Sequence, residues 1–323
     1  MNRVRLALAV TAASLVLCGP GVARAQEVGS AECCVRLLEP IGARALALGN
    51  ALTARMLPDV LYVNPAGIAG VGVDEFRVHS ERTDLDKTTT FVLLFGIGSI
   101  GTAAISYRLV DYGDIPALNN EGIETGTLRL TDQLLGASFA TTILRRIDAG
   151  VTYTLYQLRQ ECSGFCQDQP FTGTTHAVDL GIRAEVPWVR ALELGAAVQH
   201  LGLPLQVKNA PQRDPAPTRV RVGLAYEVLQ HFRPDSTMQL VASADLLQGV
   251  RAGVDPRAAL GLELILDASL FVRAGYASGT GKGTGGSVGV GMIWDRFDVS
   301  VAKSFSSSDD GGEPFQVTFA IRF

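Results

Sequence analysis

The side chains of this 323-residue chain best suited to nucleophilic, acid–base or metal chemistry are four histidines and five cysteines, and their spacing supports little of it. His79, His176, His200 and His231 are scattered, and no Gly-x-Ser-x-Gly or comparable nucleophile motif accompanies them. His176 stands close to Asp179 in sequence, but at a strand end it reads as a solvated side chain. Cys162 and Cys166 flank Ser-Gly-Phe in a turn-rich stretch with no histidine at ligand spacing, which favours a local disulfide over a zinc site. Gly279-Thr-Gly-Lys-Gly-Thr-Gly285 resembles a phosphate loop only superficially, because its first glycine is missing and Gly283 follows the lysine where Ser or Thr is needed. We therefore expect no enzyme, no metal and no cofactor.

The surrounding composition narrows the class. A formal net charge of −4 with no run of Lys or Arg argues against nucleic acid as a partner. A hydrophobic content of 47% excludes a disordered chain. Arg3 and Arg5 precede the uncharged apolar run Leu6–Cys18, then Gly19-Pro20 and Ala23-Arg24-Ala25, the layout of a secretory signal peptide over residues 1–25 with cleavage between Ala25 and Gln26. Acylation at Cys18 is the rival reading, disfavoured by the bulky Leu17 before it. Export leaves Cys33, Cys34, Cys162 and Cys166, an even number in an oxidising compartment.

Residues 73–323 alternate with period two. Phe315, Val317, Phe319, Ile321 and Phe323 share one face, and Gln316, Thr318, Ala320 and Arg322 the other. The same holds for Val220, Val222 and Leu224 against Arg219, Arg221 and Gly223. Thr88–Tyr107 carries no charge, but Gly96, Gly98 and Gly101 split it into two strands rather than a membrane helix. About fourteen such strands follow, joined alternately by tight turns and by longer polar loops, the order of an up-and-down membrane barrel. A secreted β-sandwich alternates equally well. The barrel is favoured by the Gly- and Ala-rich polar face, by only four lysines, and by the terminal Phe323, which resembles the C-terminal signal read by barrel-assembly machinery. Trp188, Trp294, Phe297 and Phe323 fall at one set of strand ends and Tyr107, Tyr112, Tyr156 and Tyr276 towards the other, as interfacial girdles would. The fold class is thus an all-β transmembrane antiparallel barrel in contact with outer-membrane lipid.

A fourteen-stranded barrel is too wide for its side chains to fill, and residues 26–72 are available as an N-terminal hatch. They contain Gly42-Ala43-Arg44-Ala45, read as the start of a short helix, and Asn64-Pro65-Ala66-Gly67. Here the chain resembles the PorV/PorQ family, relatives of the FadL-like fatty-acid transporters, with further likeness in Ala197–Gly202, where His200 replaces the usual Asn, and in Phe271–Tyr276. The resemblance implies a hatch-filled outer-membrane barrel acting as a non-enzymatic carrier or assembly component for exported proteins, as in type IX secretion. The alternative it implies is a FadL-like transporter of small hydrophobic ligands. Loops of only about fifteen residues leave little room for a large apolar capture platform, which weighs against lipid uptake. The inward charges Asp179, Arg183, Glu185, Arg219, Arg221, Glu227, Glu263 and Arg273 either line a path or fasten the hatch, and the second is preferred.

Overall fold

A computed structural model describes residues 32–166, 170–207, 213–232, 237–251, 254–279, 283–305 and 313–323. The expected cleavage site at Ala25 and Gln26 lies outside them. The chain opens with a short helix, α1 (Ala43–Ala47), and with 3-10 turns at Val35–Leu38, Pro58–Tyr62 and Pro65–Ile68. Then come β1 (Glu75–Arg82), β2 (Lys87–Gly96), β3 (Thr102–Leu118), β4 (Glu124–Leu144), β5 (Ile147–Gly164), β6 (Phe171–Glu185) and β7 (Leu192–Gly202). Two short strands, β8 (Leu205–Val207) and β9 (Arg213–Asp214), lie in the connection to β10 (Arg219–Glu227), which is followed by the helical turn α2 (Leu229–Phe232). The remainder is β11 (Met238–Gly249), β12 (Arg257–Leu266), β13 (Leu270–Ala277), β14 (Gly285–Trp294), β15 (Phe297–Phe305) and β16 (Phe315–Arg322).

Leaving aside β8 and β9, fourteen strands pair antiparallel in chain order, and β16 pairs with β1 from Glu75↔Arg322 to Arg82↔Phe315, closing the ring. Closure removes every free edge along the paired lengths. The burial pattern decides between barrel and sandwich. On β16, Phe315 and Phe319 are 46% and 41% exposed, whereas Gln316, Thr318 and Ala320 are at 2% or less. Apolar side chains face out and polar ones in, the inverse of a water-soluble sheet. At one end of the ring the connections are tight. Leu266 pairs with Leu270, and within the three-residue turn between them Asp267 and Ala268 both take positive φ.

Three strands overshoot the rest. β3, β4 and β5 have 17, 21 and 18 residues, so the sheet continues beyond the opposite, long-connection end. The Gly- and Pro-containing stretch after residue 110, which reads as a loop in sequence, is a strand as far as Leu118. β2 ends at Lys87, opposite Asp111, so beyond that point β3 has no neighbour on that side and Pro116 forfeits no ladder bond there.

Residues 32–72 lie inside the ring. α1 packs against β13, β14, β15 and β16, and the Pro65–Ile68 turn packs against β4, β5 and β6. Ala43, Ala45 and Ala47 let the helix sit close to the wall, and Pro58 and Pro65 each open a turn where a missing N–H is harmless.

Candidate functional site

The lumen is a seat built for the N-terminal segment. Three pairs of inward glycines face each other across neighbouring strands: Gly150↔Gly181, Gly195↔Gly223 and Gly261↔Gly275. At each pair the segment touches the wall. A methyl on Gly275 would overlap the backbone of Leu48 and Gly49, one on Gly195 the backbone of Thr53, and one on Gly150 the backbone of Pro65 and Ala66. Asn64 of the Asn-Pro-Ala-Gly element is fully buried. Its Nδ2 donates to Thr53 O (2.7 Å) and to Ile182 O on β6 (2.9 Å), and its Oδ1 accepts from Ala66 N (3.1 Å). Gly67 is tied to this turn because a Cβ there would strike Val60 and the carbonyl of Arg55. Gly42 caps α1 at φ 96°, and the following amide, Ala43 N, donates to Thr318 Oγ1 of β16 (2.9 Å).

Ion pairs fasten what the glycines admit. Arg44 reaches Asp59 (3.0 Å) and Glu263 (3.2 Å), Arg55 reaches Glu263 (2.9 Å), and Arg273 meets the same carboxylate (2.7 Å). Arg77 binds Asp59 (2.9 Å), Asp298 (3.2 Å) and Glu75. Burial opposes ionisation of Asp59, but the Arg77 and Arg44 guanidiniums outweigh it and hold its carboxyl well below the usual range. Phe271 also faces inward, with the Arg44 and Arg273 guanidiniums 5.2 and 4.8 Å from its ring centroid. Asp245 accepts from Leu52 N (3.0 Å), Thr53 N (3.1 Å) and Arg221, which also donates to Asn50 O. Arg183 donates to Ala54 O (2.9 Å) and pairs with Asp148 (2.8 Å) and Glu193. Near the long-strand end Arg219 grips Glu32 (2.5 Å), Arg108 grips Glu39 (2.7 Å), and Arg36 joins Asp86 (2.8 Å) and Tyr112 (2.7 Å).

Of the inward charges singled out in the sequence, Arg183, Arg219, Arg221 and Glu263 touch the segment, and Arg273 supports Glu263. Asp179 does something else. A bulge between β6 and β7 puts His200 at φ 56°, and Asp179 Oδ1 accepts its backbone N–H (2.6 Å). Glu185 and Glu227 stand at the short-turn rim. There they border a polar cavity of about 650 Å³ with Arg55, Arg146, Arg190 and Glu193. The segment's own partners, Glu32, Arg36, Glu39, Arg55 and Asp59, were missed, as were the wall's Arg77, Asp148, Asp245 and Asp298. The last four occupy inward positions that the period-two rule identifies.

One expectation is corrected. Tyr112 and Tyr156 do not belong to an outward girdle. Tyr112 donates to the inward Asp132 (2.8 Å), and Tyr156 is buried on the inward face of β5. Beyond the loops, the overshooting strands add an apolar surface of their own. Leu128, Leu130 and Leu134 share the inward face of β4, Ile115 stands opposite Leu128 on β3, and Tyr156 and Leu158 continue that face on β5. This apolar face, interrupted by Asp132, descends to Cys33, Cys34 and Leu37 of the segment, which pack with Leu134, Tyr156 and Leu205. Cys162 is bonded to Cys166, and Cys33 to Cys34. Among the described residues no group of three or more His, Cys, Asp or Glu could hold a metal.

No family model matches the chain, and no curated protein matches it. Solved structures do. The toluene transporter TodX of Pseudomonas putida aligns over 88% of this chain and 99% of its own, with TM-score 0.59 and 10% identity. The toluene transporter TbuX of Ralstonia pickettii gives the same coverage, 0.57 and 12%. A Pseudomonas aeruginosa FadL homologue covers 88% and 98%, with 0.51 and 10%. At these identities the likeness shows the fold alone, a closed fourteen-stranded antiparallel β-barrel with an N-terminal segment inside it.

Proposed function

We propose that the protein sits in the outer membrane, long-strand end outward, and takes up small hydrophobic compounds that settle first on the inner face of β3–β5. The apolar path from Ile115 and Leu128 to Cys33–Cys34 carries this reading: it offers a hydrophobic compound a descent, broken only at Asp132, from the outer mouth to the top of the segment. The fold shared with toluene transporters supports it. Below that point the lumen is charged and filled, so the buried ion pairs act here as fasteners of the segment rather than as a polar conduit. Signal cleavage after Ala25 and insertion guided by Phe323 complete the proposal.

Leu128→Asp with Leu130→Asp should lower uptake of a radiolabelled hydrophobic compound by cells at least tenfold while leaving heat-modifiable gel migration unchanged. Undiminished uptake would overturn the reading. The carrier role implied by the PorV/PorQ resemblance comes second. What favours it is Phe165, 70% exposed on the loop closed by Cys162–Cys166. Crosslinkers at Glu121, Phe165 or Asp214 that capture exported proteins, with uptake unaffected by the Leu128 and Leu130 changes, would reverse the order.

A further inference from the structure

The outward surface carries a feature that neither the lumen nor the apolar path explains. At the long-strand end, one register row runs across four adjacent strands: Lys87 of β2 opposite Arg82 of β1, Arg82 opposite Phe315 of β16, and Phe315 opposite Lys303 of β15. All four side chains are exposed and share the outward parity of Phe91, Val317 and Phe319. Two register steps towards the short turns the row reads Thr89, Ser80, Val317 and Val301, and two further it is wholly apolar, with Phe91, Val78, Phe319 and Val299. From Phe323 to Phe315 the outward face runs about 26 Å along the strand, or about 20 Å after tilting, which brings the cations to the upper limit of a lipid band about 25 Å tall.

The neighbouring acids account for Lys303 but form no ion pair with Arg82 or Lys87. Glu313 is bound to Lys303 (2.8 Å); Asp111, which stands opposite Lys87 on β3, is bound to Arg129 (2.9 Å); and Asp84 sits in the β1–β2 turn. Among the described residues neither Arg82 nor Lys87 has a carboxylate within ion-pair distance. Like charges directly opposite each other on paired strands repel, and at a membrane boundary they are relieved when an anion lies between them. Arginine supplies a planar fork for phosphate oxygens and lysine a mobile point charge, while Phe315, Phe305 and Leu85 offer exposed apolar surface to the acyl chains beside them.

We infer that Arg82 and Lys87 form a docking site for the phosphate of an outer-leaflet lipid headgroup. The inference rests on the membrane placement proposed above, but on neither the hatch nor the cargo. The test titrates the full-length protein in detergent with bisphosphorylated lipid A and with its dephosphorylated form, reading bound lipid by native mass spectrometry. The intact protein should prefer the phosphorylated lipid at least tenfold. Arg82→Gln with Lys87→Gln should weaken that binding roughly 10- to 30-fold and leave the dephosphorylated lipid unaffected. Arg82→Lys with Lys87→Arg should retain the preference, and Lys87→Gln alone should show an intermediate loss if the double variant assembles poorly. Equal binding of both lipids by the intact protein, an unchanged preference in the Gln variants, or displacement by millimolar inorganic phosphate would each overturn the site. Hydrophobic uptake should be unaffected by the Gln variants, so a failure here leaves the transport reading standing. Failure of the intact protein to partition into outer membranes would sink both.

Discussion

Replacing Gly275 with alanine adds a single methyl to the barrel wall, yet it should unseat the segment that fills the barrel. Nothing in β13 itself resists the change, since alanine is at home in a strand and the ladder to Gly261 and Ser287 is made by backbone atoms. The new Cβ meets the backbone of Leu48 and Gly49, which has no rotamer with which to retreat. Restoring an ordinary contact requires a displacement on the order of 1 Å. Such a shift strains the Ser287 Oγ to Ala47 O bond (3.1 Å) and the Asp245 contacts to Leu52 N (3.0 Å) and Thr53 N (3.1 Å). Overpacking costs about 1–3 kcal/mol and each of two lost buried bonds about 1 kcal/mol, so the seated state loses about 3–5 kcal/mol. That is a shift of roughly 100- to 4000-fold in the ratio of displaced to seated segment. In planar bilayers Gly275→Ala should raise the open fraction accordingly, and added protease should cut within residues 42–70. Gly286→Ala is the matched control, because nothing lies within 4 Å of a Cβ there. If Gly275→Ala assembles normally and conducts no more than the Gly286 variant, the glycine pairs are not what admits the segment.

Asp59 supplies a pH dependence of known sign. Its carboxyl is held below the ordinary range in the folded protein, so its contribution is present above the unfolded value of about 3.9 and is lost as pH falls further. Conductance should therefore rise on acidification below about pH 4, and Asp59→Asn should be leaky at neutral pH with that rise blunted; a variant as tight and as acid-sensitive as the parent would refute the assignment. Asn64→Ala strands the carbonyls of Thr53 and Ile182 and should destabilise the seated segment by about 2–4 kcal/mol. Faster exchange of the amide hydrogens around residues 53–67 would register it, and unchanged protection would contradict it.

Much of this architecture was legible in the sequence because a lipid-facing barrel obeys one rule throughout. The alternation of Val220 with Arg219 and of Phe319 with Thr318 reports the face of each residue without knowledge of its partners. Legibility fails where the rule is locally suspended. Past Asp111 the composition Gly113, Asp114 and Pro116 reads as a loop, and only the absence of a β2 partner beyond Lys87 lets it be a strand. Tyr112 and Tyr156 were placed by height along the strand, which does not specify a face; β3 also changes register at Asp111/Asp114. The seat itself was visible only in outline. Arg55 and Glu263, or Asp59 and Asp298, are joined by the closed ring and by nothing local.

That ring also fixes an order of events during assembly. The segment is made before any strand of the barrel, but its α1 end rests on the last strands. Ala43 N donates to Thr318 across a separation of 275 residues, and Gln316 Nε2 donates to Pro40 O across 276. Contacts of such range are slow to form, since the intervening chain must be gathered first. Until β16 reaches β1, Arg44 and Arg77 face a half-built wall, and the segment has no complete site to occupy. Docking of the α1 end thus cannot be complete before the ring closes, and a chain stalled before its final strand lacks both closure and that half of its occupant's seat.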